Sequence, residues 1–172
     1  SPDMAQVKIL STATAGTAYE QAIFLNSLAT AADLVVWLRA DKARLDAYNL
    51  LFRQNLQTEG GVFSASQRNV LFGASLEPGF DQDRLIPAAD LFSALKSSNR
   101  TDERRAFNSL FNADLHSYSA SPNAQDRAVL FSVAAGAGYD KNIFVGSLVR
   151  ANKLFLKIAN SSTRRKVFKK LY

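Results

Sequence analysis

Apolar residues in this chain recur every three or four positions, the spacing that lines one face of an α-helix. The strict alternation of a half-buried strand is hard to find, so the pattern predicts an all-α protein. It also repeats itself. Ala135-Gly136-Ala137-Gly138-Tyr139-Asp140 leads into the apolar stretch Ile143 to Leu148, and Ala15-Gly16-Thr17-Ala18-Tyr19-Glu20 leads into Ile23 to Leu28, 120 positions earlier. A looser third version, Glu77-Pro78-Gly79-Phe80-Asp81, precedes Leu85-Ile86. Sliding residues 1–52 onto 121–172 without a gap gives 14 identities, among them Leu10, Ile23, Phe24, Leu28, Leu34 and Arg44. Random pairing of such a composition gives roughly three or four. An internal repeat explains the excess.

The unit is about 60 residues and three helices, giving approximate repeats 1–60, 61–118 and 119–172 within a single domain, 1–172. Its first helix starts after Ser1-Pro2, after Ser64-Ala65-Ser66 and after Ser121-Pro122, with serine as the expected N-cap. The second starts near Tyr19-Glu20, Phe80-Asp81 and Tyr139-Asp140, where an acid favours the positive end of the helix dipole. Ile143, Leu148, Ala151, Leu154 and Ile158 keep helical spacing along its last version. Pro87 falls inside the middle version and should kink or restart it. The third helix is expected from Asp41 to Gln57, Thr101 to Leu115 and about Ser162 to Tyr172. One such unit cannot bury its apolar residues alone, so stacked units should share a core, as a compact pseudo-symmetric bundle or a short solenoid.

Composition bounds the function. At 172 residues and 47% hydrophobic content there is material for a packed core. The absence of cysteine removes disulfides, thiolate metal sites and a cysteine nucleophile. No uninterrupted apolar run approaches the roughly 20 residues of a membrane-spanning helix. Residues 22 to 38 come closest, broken by Asn26, Ser27, Thr30 and Asp33. Ser1-Pro2-Asp3 lacks the basic flank of a signal peptide.

Charge changes the picture more. Nine cations lie between 141 and 172 and no acid accompanies them: Lys141, Arg150, Lys153, Lys157, Arg164, Arg165, Lys166, Lys169 and Lys170. The first 140 residues carry 12 basic and 15 acidic groups. Between the first and third units Asp33 becomes Lys153, Trp37 becomes Lys157, Asp46 becomes Lys166 and Asn49 becomes Lys169. One framework has received two surfaces, and the second is basic. Arg150, Lys153 and Lys157 share one arc of a helix. The last helix sets Val167, Phe168, Leu171 and Tyr172 against its cations. Such a helix docks on nucleic acid, acidic lipid or a partner groove, or else turns its apolar strip inward and keeps its charges solvated.

Other candidates are weaker. His116, the sole histidine, lies near Asp114 and Ser117, but one histidine cannot build a multi-histidine metal site and such neighbours are commonplace in loops. Gly136 and Gly138 imitate a phosphate-cradling G-x-G without the preceding strand or following lysine, and read as turn residues. Glu77, Asp81 and Asp83 do not follow the EF-hand spacing, and helix capping accounts for Asp81. Trp37 reads as core, unless exposure makes it a contact. Leu76 to Asp81 and Phe107 to Leu115 resemble two short pieces of annexin repeats. The repeat is shorter here and the glycine-threonine-aspartate calcium signature is absent, so that resemblance implies neither calcium nor phospholipid binding. With no matched acid, base and nucleophile, no cofactor motif and no metal set, the expected function is non-enzymatic. The sequence points to a helical-repeat protein whose basic third unit meets a polyanion, with a self-associating assembly subunit and a carrier of an apolar ligand as alternatives.

Overall fold

The structure, a computed structural model, describes residues 1–15 and 21–172, and the described residues hold helices and no strands. Nine α-helices follow in order among them: α1 Met4–Thr14, α2 Gln21–Arg39, α3 Lys42–Phe52, α4 Ala65–Leu76, α5 Leu85–Lys96, α6 Thr101–Phe111, α7 Ala124–Ala134, α8 Lys141–Ala159 and α9 Ser162–Leu171.

Local chemistry sets most of the boundaries. Asp140 and Asp41 sit in extended backbone and accept from Ile143 N and Ala43 N, capping α8 and α3. Ser64 caps α4 in a reciprocal box with Gln67. Serine is not the cap at the other two first helices. Asp3 accepts from Gln6 N at 2.8 Å ahead of α1, and Asn123 accepts from Asp126 N ahead of α7. The expected start at Tyr19-Glu20 lies outside the described residues. At Asp81 the chain first makes a 3-10 turn, Gln82–Arg84, and becomes α-helical at Leu85. Pro87 thereby falls in the first turn of α5, where its missing N–H has no partner to lose.

The third helices end earlier than their apolar pattern suggests. Arg53 and Asn112 take left-handed conformations, φ 52° and 51°, directly after α3 and α6. Asn49 explains the first stop: its side chain accepts from Leu56 N and donates to Leu56 O, both at 3.0 Å, folding the chain back. Asn108 does the same to Leu115, at 3.0 and 2.9 Å. Leu56 and Leu115 are thereby buried outside any helix.

Packing is serial. α2 lies on α3 and α4, α3 on α5, α5 on α6, α7 and α8, α6 on α8, and α8 on α9. The pairs α2/α4 and α5/α7 are three helices apart in order, as are α3/α5 and α6/α8. The middle helix α5 is covered most fully, with Leu85, Ala88, Leu91, Phe92 and Leu95 inaccessible to solvent. At the other extreme no residue of α9 is buried, and Leu10 of α1 remains 56% exposed.

Against the expectation from the sequence, α2 is long and apolar enough to cross a membrane by length and composition. In the fold it buries one stripe, Ser27, Ala31, Leu34 and Leu38. Leu25, Leu28, Ala32 and Val36 form a second stripe on the far side, about half a turn away, and are exposed.

Tyr48 shows how the core treats a polar group. The ring stacks on Phe52 at 4.9 Å and is fully buried, yet its hydroxyl has no hydrogen-bond partner among the described residues. Burial raises its pKa, with opposing contributions from Arg127, which lowers it, and Glu77, which raises it. A raised tyrosine pKa means the folded chain holds a proton that the unfolded chain releases. Its contribution is therefore intact below about pH 10, the unfolded value, and is lost as pH rises beyond it. Tyr48→Phe is expected to leave stability unchanged or to raise it by up to about 1 kcal/mol. It should also flatten the alkaline loss, read by denaturant unfolding at pH 8 and above pH 10. The buried hydroxyl of Tyr139, raised by burial and then by Asp90 and Asp140, leaves a residual slope.

Candidate functional site

Eight of the nine cations singled out in the sequence are exposed: Arg150, Lys153 and Lys157 on α8, and Arg164, Arg165, Lys166, Lys169 and Lys170 on α9. Arg150, Lys153 and Lys157 span about 60° of α8, and Val145 and Leu148 project from its other side into the core. Lys141 stands apart. It is half-buried at the first residue of α8, on the side of Val145 and Leu148. Among the described residues no acid pairs with any of the nine.

Two features of this end were not legible beforehand. Arg164 is engaged: its guanidinium donates to Lys157 O at 3.2 Å, at the C-terminal end of α8. Arg44 donates to Trp37 O at 3.3 Å in the same way, and Arg104 to Leu95 O and Ser97 O at 2.9 and 3.1 Å. An arginine near the start of one helix thus satisfies carbonyls left open at the end of the previous one.

The second feature is the apolar strip of α9, which does not turn inward. Val167, Phe168, Leu171 and Tyr172 are all exposed, Tyr172 at 92%. Along α8, Leu148 is buried as expected, but Ile143, Ala151 and Leu154 are exposed and Ile158 is half-buried. Packing decides this, because the buried positions Val145 and Leu148 fall in the first half of α8 and nothing in its second half is buried. Phe155 and Leu156 continue the core-facing side and stay about half exposed.

The remaining candidates resolve into structural roles. His116 Nε2 lies 3.0 Å from Asp114 Oδ1 and its ring stacks on Tyr118, in a loop open to water. Trp37 is half-buried under the Arg44 guanidinium, 4.4 Å from the ring centre. Gly138, at φ 71°, and Gly136, whose carbonyl accepts from Tyr139 N at 3.1 Å, form the turn between α7 and α8. Asp81 caps the 3-10 turn. Glu77 is taken by Arg127. Among the described residues no group of three or more His, Asp and Glu is placed to hold a metal ion. An open groove of about 830 Å³ near the end of α3 and the start of α4 is lined by Asn49, Arg53, Gln54, Asn55 and Gln67, among others. Leu50 and Ala120 supply apolar surface in the same lining.

A largely buried ion pair joins distant parts of the chain. Arg127 on α7 makes a forked contact with Glu77, 2.6 to 3.2 Å. It also donates to Leu51 O at 3.3 Å and Pro122 O at 2.9 Å, and lies 4.6 Å over the Phe52 ring. Glu77 and Leu51 are 50 and 76 residues away, so no local pattern could reveal those contacts.

Compared with protein-family models, with curated proteins and with solved structures, the chain finds no match.

Proposed function

We propose that this chain is a non-enzymatic scaffold of three related three-helix units, and that the outward cations of its third unit bind a polyanion, nucleic acid or an acidic lipid surface. The unit reading rests on features recurring at the same places. Arg44, Arg104 and Arg164, 60 residues apart, all reach back to a preceding helix end. Asn49 and Asn108 make the same pair of bonds. Tyr48–Phe52, Phe107–Phe111 and Phe168–Tyr172 are three aromatic pairs with ring centres 4.9, 4.8 and 4.9 Å apart.

The observation that carries the binding reading is the set of exposed cations on α8 and α9 with no acid among them. Unpaired exposed ammonium and guanidinium groups keep their full attraction for phosphate, and binding releases the counterions condensed there. Lys166, Lys169 and Lys170 lie opposite the apolar strip of α9, so both faces can be used at once. Engaging about four phosphates gives a slope of about −3.6 in log affinity against log salt, so a fourfold rise in salt weakens binding about 150-fold. Titrating the protein against single- and double-stranded oligonucleotides and against acidic vesicles at two salt concentrations tests this. Replacing Lys166, Lys169 and Lys170 with glutamine should lower both affinity and slope. Affinity indifferent to salt in every arm rules the reading out.

A further inference from the structure

The two ends of the molecule carry faces that are covered everywhere else in it. Tyr48 on α3, a helix that packs on α5, and Phe107 on α6, which packs on α8, are fully buried, and Phe107 and Phe111 both meet Phe144. In the same position on α9, Phe168 is 42% exposed. The receiving side is open too. Val145 and Leu148 of α8, a helix that packs on α6, are buried, whereas their counterparts on α2, Leu25 and Leu28, are 51% and 46% exposed. A second pair of faces behaves alike. Leu34 of α2, which packs on α4, and Leu130 of α7, which packs on α5, are buried, but the matching Leu154 of α8 and Leu10 of α1 are each 56% exposed.

We infer that the chain associates head to tail with a second copy of itself, continuing the packing it already uses between its units. This rests on the three-unit reading above. Phe168, Leu171 and Tyr172 of one copy cover Leu25 and Leu28 of the next, as α6 covers α8. Leu10 of that next copy covers Leu154, as α4 covers α2. The occupant is argued from continuity: each open face matches in position a face that is buried inside the fold, and the two missing partners are both supplied by one neighbour in one register. The contact joins different patches, so it does not close into a two-fold dimer, and repetition produces a ring or an open filament. The cations of α9 lie opposite the strip that this contact consumes, so assembly would set them out at regular intervals.

Light scattering on nucleic-acid-free protein should show mass rising with concentration, and the rise should be insensitive to salt because the contact is apolar. Phe168→Asp with Tyr172→Asp disables one end, and Leu25→Asp with Leu28→Asp the other. Each double variant alone should remain a monomer, with helical circular dichroism unchanged. Mixing the two should yield a dimer that grows no further, since one competent end survives on each. Should the α2 variant lose helix, Leu10→Asp on α1, which lies on the same receiving end as Leu25 and Leu28, serves instead. A wild type that stays monomeric up to about 1 mM, or stops at a dimer, or gathers only when oligonucleotide is added, overturns the inference. Monomeric protein that still binds oligonucleotide with a steep salt slope overturns this inference alone and leaves the proposed function standing.

Discussion

Arg127→Ala is expected to cost about 3–5 kcal/mol, because it strands a largely buried carboxylate and two carbonyls at once. For a domain of this size that lowers Tm by roughly 10 °C. Glu77 is only 13% exposed, and Arg127 supplies the forked contact seen at its oxygens. The guanidinium also covers the Phe52 ring and holds Leu51 O from the end of α3, so residues drawn from three distant stretches of chain meet on one side chain. Glu77→Ala should cost a similar amount by leaving the guanidinium unpaired. Replacing both, with Arg127→Ala and Glu77→Ala in one chain, should cost clearly less than the two single losses together, since no charge is then left buried. Thermal and denaturant unfolding of the four proteins measures the coupling. Additive losses would show that the pair is not the clamp its geometry describes.

Phe107→Ala should cost about 3–5 kcal/mol, and Phe168→Ala no more than about 0.5 kcal/mol in dilute monomer. The two residues occupy matching places on α6 and α9, each next to an aromatic four residues on. Phe107 has α8 against it, its ring set edge-on to Phe144 at 6.4 Å. Removing it opens a cavity where the side chain was fully buried, whereas Phe168 is 42% exposed. Denaturant midpoints at low protein concentration check both values. A large loss at Phe168 in monomer would mean that α9 is buried in solution, and would remove the basis for head-to-tail assembly.

That contrast marks the border between what is local and what is not. Helix type and most helix starts were legible because the responsible contacts span three or four residues, as at Asp140, Asp41 and Ser64. The ends of α3 and α6 were misjudged because Asn49 and Asn108 act seven residues ahead, beyond any cap pattern. Pro87 was placed correctly in its helix, but the 3-10 turn that moves the start to Leu85 depends on how Asp81 folds the preceding turn.

The candidate surface divides along the same line. Composition alone established that the last stretch of chain is basic and free of acid, since charge is a property of residue types. Helical periodicity alone put Arg150, Lys153 and Lys157 on one arc. Neither could say that Arg164 spends its guanidinium on the end of α8, or that Lys141 is half-buried. Burial was beyond reach for a physical reason: a helix presents its apolar strip identically whether or not a neighbour arrives to cover it. The sequence determined an all-helical chain, its charge asymmetry and its apolar stripes. Only the tertiary structure decided which of those stripes are covered, because that depends on helices from distant parts of the chain.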